Sequence, residues 1–168
     1  MTLLPVPLRM YASESEAAPL EWEWVEEQLA AAGTYWVAAR SPAHPHPRPV
    51  WGVWLDDALL LSIGSPVVLR QLEDDARTTV HLDSGTDVVI VEGTCTGAAP
   101  PPRIPAFLEA YNAKYTWEYT VDEYGPPIVV APTTIMAWRS GSWAGRDGFQ
   151  QASKWITERA DDAAPPAP

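Results

Sequence analysis

The chain has 168 residues, of which 18 are proline, 46% are hydrophobic and 20% are charged. This composition predicts one folded domain and excludes a disordered chain, and the absence of a Gly-X-Y period excludes collagen. Eleven basic residues stand against 22 acidic ones, which gives a net charge of −11. A chain this acidic repels phosphate backbones and anionic lipids, so neither nucleic acid nor a membrane is an expected partner.

Targeting and redox signals are weak in this sequence. No apolar run reaches the roughly 18 residues of a membrane-spanning helix. The start, MTLLPVPLRM, lacks the basic region and the uninterrupted apolar core of a signal peptide. Cys95 is the single cysteine, which excludes an internal disulfide and a zinc site built from several cysteines. We therefore expect a cytoplasmic protein.

The N-terminal part of the chain is predicted to hold an arm and a helix. Residues 1–18 read as an irregular arm because Pro5 and Pro7 disfavour regular structure. A first helix is predicted over residues 19–32, where apolar residues recur at helical spacing. The chain end, DDAAPPAP, predicts a disordered tail over residues 159–168, which leaves the domain at 19–158.

Short apolar segments separated by turn residues predict the strands that follow. They are expected at 34–40, 46–55, 58–63, 78–82, 88–96, 128–131 and 134–138, the last two separated by Pro132. Ser65 can cap a second helix that runs to about Asp75, and a third helix is predicted to begin near Arg103. Residues 116–127 fit no single pattern. This alternation predicts a mainly β protein, an antiparallel barrel or sandwich with flanking helices.

Few residues form a pattern typical of catalysis or metal binding. His44 and His46 are spaced like strand-borne metal ligands, but prolines surround them and no third ligand is near, so no metal site is predicted. His81 has no accompanying nucleophile motif, and Cys95 is typical of a small packed strand residue. No side chain is an obvious acid or base, so the catalytic residues are unknown.

The segment His46-Pro-Arg-Pro-Val-Trp51 is the most unusual in the chain. Two prolines in one strand remove ladder donors, which predicts an edge or a bulge. The unpaired backbone groups of an edge suit the rim of a flavin-like ring, and Arg48 offers a cation for its phosphate or its ring oxygens. The alternative is a proline-rich barrel corner with a surface arginine.

Several segments together resemble a known family. They are YWVAARSP, PHPRPVWGVWLDDALLLSI, RQLEDDARTTVHLDSG and VVIVEGT, followed by PTTIMAWRSG and ASKWIT. In this order, over about residues 20–157, the chain resembles the pyridoxamine 5′-phosphate oxidase-like, flavin-binding split-barrel family. The resemblance implies an antiparallel split barrel of six to seven strands, and a homodimer with a flavin cleft between its subunits.

The resemblance also implies a cofactor and the residues that contact it. The cofactor would be flavin mononucleotide (FMN) or, alternatively, a deazaflavin (F-420). The ring would lie along Arg48, Pro49, Val50 and Trp51, and the next strand would contribute Ser62 and Ile63. Trp138 and Lys154 would add an aromatic group and a cation from the C-terminal segment.

One departure from the family concerns the start of the second helix. The family usually carries a lysine there, often after a polar residue, whereas this chain has Val67 and Val68. Ser65 and the helix N-terminus still offer donors to a phosphate, and Arg70 lies one turn further on. A lysine at Val68 is predicted to restore the missing cation.

Two functions follow from this reading of the sequence. The first is a flavin- or deazaflavin-dependent oxidoreductase that acts on a small molecule, with the redox chemistry supplied by the cofactor. The second is a non-catalytic protein on the same barrel that binds a flavin, haem or another flat anion. The valines at the second helix favour the second function.

Overall fold

The computed structural model describes residues 3–8, 18–41, 44–139 and 151–157. Within these residues the chain forms eight strands and four α-helices, with a 3₁₀ turn at Pro101–Arg103 before the third helix. The strands are β1 (Leu3–Pro7), β2 (Tyr35–Ala39), β3 (His46–Leu55), β4 (Ala58–Ser62), β5 (Arg77–His81), β6 (Asp87–Ala98), β7 (Ile128–Arg139) and β8 (Gln151–Thr157). The helices are α1 (Trp22–Ala31), α2 (Pro66–Asp74), α3 (Ile104–Tyr115) and α4 (Val121–Tyr124).

Six of these strands close into an antiparallel barrel. The order β7-β4-β3-β2-β5-β6 is completed by pairing of β6 with β7, which returns the sheet to its first strand. All the pairs are antiparallel. Closure removes the free edges that an open sheet of this size would present. The fold predicted from the sequence, a mainly β antiparallel barrel with flanking helices, is confirmed.

Two further strands extend the barrel at β7. β8 pairs with β7, and β1 pairs with β8 from Leu3↔Thr157 to Pro7↔Ser153. The prediction of an irregular arm is therefore wrong for Leu3–Pro7. Proline is tolerated in an edge strand because one side of that strand needs no ladder donor, and β1 lies at the end of the strand order.

Pro132 does not divide β7, contrary to the sequence prediction. The register shifts between Glu92 and Gly93, so that Glu92 pairs with Thr134 and Gly93 pairs with Pro132. Thr133 is the extra residue, and its hydroxyl donates to the Glu92 carbonyl at 3.1 Å. A bulge thus accommodates the proline without ending the strand.

The helices cover the barrel at separate places. α2 begins as predicted, with Ser65 as N-cap accepting from the Val68 N–H and with Pro66 in the first turn. The main core contains the barrel interior and the apolar faces of α1 and α2, including Leu29 and Leu72. A second cluster joins α3 to the outer side of β3 and β4 through Phe107 and Leu60. No described helix is long and apolar enough to cross a membrane.

Candidate ligand-binding groove

An open groove of about 320 Å³ lies where β3, β4 and the start of α2 meet. Six of the residues predicted to contact a cofactor line it: Arg48, Pro49, Val50, Trp51, Ser62 and Ser65. Gly64 and Tyr111 complete the lining. The barrel brings these residues together because Trp51 and Ser62 are direct cross-strand partners.

The pairing of β3 explains why the groove forms at this point. His46–Val50 pairs with β2, whereas Trp51–Leu55 pairs with β4, so each half of the strand has one described strand neighbour. Pro47 and Pro49 both fall in the first half. The predicted edge therefore exists along His46–Val50, although β3 stands between β4 and β2 in the strand order of the barrel. Backbone groups on the unpaired side can meet a ligand instead of a strand.

Trp51 presents a flat surface to this groove. Its indole stacks on the Tyr115 ring with centroids 4.7 Å apart and an interplanar angle of 7°. One face is therefore covered, yet the side chain is 43% exposed. A large exposed indole held by a stacked partner is a suitable platform for another planar ring.

The end of α3 holds the backbone next to Trp51. The Gly52 N–H donates to the Tyr115 hydroxyl at 3.0 Å, and that hydroxyl donates back to the Gly52 carbonyl at 3.0 Å. Lys114 Nζ donates to the same carbonyl at 3.1 Å. β3 continues past Val50, its last residue that pairs with β2. Beyond that point, the side chains of Tyr115 and Lys114 bond to the backbone of β3 in place of a neighbouring strand.

Lys114 is a half-buried cation beneath the groove. Its ammonium also donates to the Tyr35 hydroxyl at 3.0 Å and lies 4.8 Å from the centre of that ring. Burial lowers the pKa of Lys114 to about 8 because it disfavours the charged ammonium. Burial, and the nearby Tyr115, raise the pKa of Tyr35 well above its usual range. Tyr35 in turn donates to the Leu29 carbonyl, which connects this cluster to α1.

Positive charge in the groove comes from one side chain and one helix end. Arg48 is exposed and its Nη1 donates to the Pro47 carbonyl at 2.8 Å. Ser65 caps α2, and the N–H groups of the first helical turn carry partial positive charge. Together they form the part of the groove suited to an anion.

The two valines of α2 point in different directions. Val68 is fully buried in the main core, whereas Val67 is 41% exposed. The predicted lysine position at Val68 is therefore wrong, because adjacent helical residues differ by about 100° in direction. Arg70 is exposed but is not part of the groove lining, and Ile63 is buried in the main core.

The remaining predicted contacts lie elsewhere in the chain. β4 meets β7 at Leu61↔Ile128, close to Ser62 in the groove. Trp138 lies ten residues further along β7, which is roughly 33 Å of strand at about 3.3 Å per residue. Lys154 pairs with Met136 and Val6 on the extension. The fold of the single chain does not bring Trp138 or Lys154 to the groove.

The contribution of α3 to the groove was not predicted from the sequence. The place of Tyr111 and Tyr115 at the groove depends on contacts between distant parts of the chain, such as that of Tyr115 with Gly52, 63 residues away. No local pattern shows such a contact. Among the described residues, no group of three or more histidine, cysteine, aspartate or glutamate residues could hold a metal ion.

Comparison with known proteins identifies the fold. A conserved hypothetical protein from Mycobacterium tuberculosis is 16% identical, with a TM-score of 0.62 over 76% of this chain and 90% of that one. A FAD-binding protein from Mesorhizobium loti is 11% identical, with a TM-score of 0.56 over 82% and 96% of the two chains. An F420 reductase is 18% identical, with a TM-score of 0.51 over 66% and 94%.

The chain has the split-barrel fold. This is the fold that the resemblance predicted. No protein-family model matches the sequence, and no curated protein does. Fold alone does not determine function, so the chemistry of this protein depends on the residues of the groove.

Proposed function

We propose that the protein binds FMN in this groove and acts as a flavin-dependent oxidoreductase on a small molecule. The observation that carries the proposal is the arrangement along one open strand edge. Arg48 and the start of α2 offer positive charge, and Trp51 beside them offers a flat exposed ring. A flavin nucleotide has an anionic end and a planar end that match these two features.

The residues of the groove fit such a ligand. Ser65 and the first turn of α2 can hold the phosphate, with the Arg48 guanidinium available to the phosphate or to the ring oxygens. The unpaired side of His46–Val50 can bond to the ring rim, and Trp51 can pack against it. The exposed Val67 at the same helix end supplies no charge, so we expect weaker phosphate binding than a lysine there would give.

A flavin, when bound, supplies hydride or electron transfer. The residues of this chain orient the ring and keep one side of it dry. Tyr115 and Lys114 fix the backbone at Gly52 and thereby the angle of Trp51. The lining offers no carboxylate or imidazole, which agrees with a protein that positions its cofactor and leaves proton transfer to the substrate or water.

The groove of one protomer is incomplete, which supports a site shared by two subunits. Its volume of about 320 Å³ is at the lower end of the roughly 300–1,000 Å³ of ligand pockets. The outward side of the barrel carries partly exposed apolar residues on adjacent strands. Ile90 and Met136 are direct partners, and Ile156 lies opposite Thr134 on the next strand. We propose that this face forms a homodimer, which could bring Trp138 and Lys154 of a second copy to the groove.

Two alternatives share the same groove. One is a deazaflavin, since an F420 reductase has a similar fold. The other is a protein that binds a flavin, haem or another flat anion without catalysis. The exposed, uncharged Val67 favours this second alternative, because a weak phosphate site suits a carrier better than a resident cofactor.

The experiment is an absorbance scan of the purified protein, followed by titration with FMN, deazaflavin and haem. We expect FMN to bind with quenching of its fluorescence. After reduction of the bound ring by added dithionite as electron donor, we expect the protein to speed its reoxidation by a small-molecule acceptor. Binding without any catalysed reoxidation would support the carrier. No binding of any of the three ligands would remove the proposal.

A further inference from the structure

We infer that an aromatic ledge beside the groove, formed by Trp51, Trp117 and Tyr124, is the binding subsite for a flat, positively charged aromatic substrate. The inference rests on the proposed function, since the ledge would present the substrate next to the flavin ring. It concerns residues that the cofactor site does not use, apart from Trp51 at their junction.

The ledge is continuous and open. Trp117 meets Trp51 edge to face with ring centroids 6.0 Å apart at 80°, and Tyr124 follows with centroids 6.4 Å from Trp117. The three side chains are 43%, 44% and 44% exposed. Large aromatic side chains left open at one place mark a binding surface more often than a packing defect.

The ledge is held in place by the chain beneath it. The Asn112 side chain accepts from the Tyr119 N–H at 2.8 Å, and Trp117 N–H donates to the Asn112 carbonyl at 3.3 Å. Thr120 caps α4. The buried Tyr119 packs against Tyr124 and donates to the Gly125 carbonyl. Little ordering is therefore required when a ligand arrives, which favours specific binding.

The charge around the ledge selects the kind of ligand. Glu118, Asp122 and Glu123 are exposed on the same short segment, and no lysine or arginine occurs in residues 115–138. A hydrogen bond to Glu123 is the main reason that the pKa of Tyr124 is raised, which places a carboxylate at the Tyr124 hydroxyl, on the rim of the ledge. Aromatic faces attract cations, and carboxylates at the rim reinforce that preference.

The two ends of the site are therefore opposite in charge. Arg48 and the start of α2 attract an anion, whereas the ledge attracts a cation, with Trp51 between them. A cofactor phosphate and a cationic substrate would be kept at separate ends with their rings adjacent.

The test is calorimetric titration of the protein with N-methylquinolinium and with quinoline, its neutral counterpart at pH 7.5. We expect the cation to bind about tenfold more tightly than quinoline. Trp117→Ala should weaken cation binding about tenfold, through lost stacking and cation–π attraction. The triple variant Glu118→Gln/Asp122→Asn/Glu123→Gln should remove the preference for the cation while keeping the aromatic rings. The matched control, Glu21→Gln/Glu23→Gln/Glu27→Gln on α1 and its N-cap, changes charge equally and should have no effect.

Equal binding of the two probes to the unaltered protein, or an unchanged preference in the triple variant, would overturn the inference. The triple variant keeps the test decisive if Trp117→Ala fails to fold. FMN titration of the same variants separates this inference from the proposed function. Cation binding that follows these expectations without any FMN binding would refute the proposed function and leave the cation subsite standing.

Discussion

Arg48 is the cation among the side chains that line the groove, and its exposure makes it suitable for a clean test. Arg48→Ala should weaken FMN binding about tenfold to a hundredfold, since a charge-assisted hydrogen bond contributes about 1.5–3 kcal/mol. Fluorescence titration measures the change. Arg70→Ala on the outer side of α2 is the control and should leave affinity unaltered. An equal loss of FMN affinity in the two variants would show that Arg48 acts through the overall charge of the protein and not through a direct contact with FMN.

Val67 and Val68 form a matched pair with opposite exposure. Val67→Lys places an ammonium at the open end of α2 and should tighten FMN binding about tenfold or more through one charge-assisted contact. Riboflavin, which has no phosphate, should gain little, and salt should erode the gain.

Val68→Lys is the contrasting variant of this pair. It buries an ammonium in the core, so it should lower the free energy of unfolding by several kcal/mol. Both variants are compared by FMN and riboflavin titration and by urea unfolding. A Val67→Lys variant that binds riboflavin and FMN with equal gain would show that the phosphate lies elsewhere.

Lys114 predicts an unusual dependence of stability on pH. Its pKa of about 8 in the folded state is lower than the ordinary 10.5. Between these values the unfolded chain binds more protons, so stability should rise with pH. The pKa of Tyr111 is raised to about 12, and that of Tyr35 is also raised. Both hydroxyls keep their protons in the folded state at pH values where the unfolded chain loses them, so stability should fall above about pH 10. Urea unfolding from pH 7.5 to 11 measures this curve, and Lys114→Met should flatten its rising part. If stability still rises with pH in the Lys114→Met variant, another titratable group is responsible for the rise.

At the level of elements, β3 depends on its close approach to β4. A Cβ built on Gly52 would come within 2.6 Å of the Leu60 carbonyl oxygen and 2.7 Å of the Leu61 side chain. Gly52→Ala should therefore lower the free energy of unfolding by about 1–3 kcal/mol, as overpacking does. It should also weaken FMN binding, because Trp51 is the adjacent residue.

Gly33→Ala provides the comparison for this substitution. Nothing lies within 4 Å of a Cβ at Gly33, so urea unfolding should give nearly unchanged stability. Destabilisation of the same size at both positions would mean that the loss of glycine itself, and not the close strand contact, is responsible.

The hydrogen bonds between α3 and β3 show how one element can complete another. Gly52 bonds to Tyr115 and Lys114 instead of to a strand on that side. The polar backbone of a strand must be satisfied somewhere when it is buried, and here a helix end does it. The groove therefore opens where β3 changes its neighbour from β2 to β4.

For the whole molecule, the apolar outward face predicts a dimer. Ile90 and Met136 are direct partners on this face, and both are partly exposed. Ile90→Glu should give a monomer in sedimentation experiments at micromolar concentration and lower FMN affinity, because burying carboxylates in an apolar contact is costly. Ala106→Glu, on the exposed side of α3, is the control and should remain dimeric. A monomeric unaltered protein that binds FMN fully would refute the shared site.

Local sequence signals predicted most elements and part of the groove. Ser65 followed by Pro66 marked the start of α2, and the proline pattern around Arg48 marked an edge that exists over half of β3. These features are local, because capping and strand alternation act over a few residues. The strand Leu3–Pro7 and the continuity of β7 were not predicted, because distant partners compensate for proline in both. β8 pairs with Leu3–Pro7, and a bulge opposite Gly93 accommodates the proline of β7.

The sequence by itself determined the antiparallel, mainly β class, the cap of α2 and the stretch Arg48–Trp51 that lines the groove. Its local patterns left barrel and sandwich open, and the pairing of β6 with β7 decided for the barrel. Tertiary structure alone decided that Val67 faces outward and Val68 inward, because the cap fixes where α2 begins but not which side of the helix packs on the barrel. It also decided that Lys114 and Tyr115 hold Gly52, contacts that span 62 and 63 residues of chain. Such contacts depend on how closed sheets and helices pack, and no short-range pattern of residues encodes them.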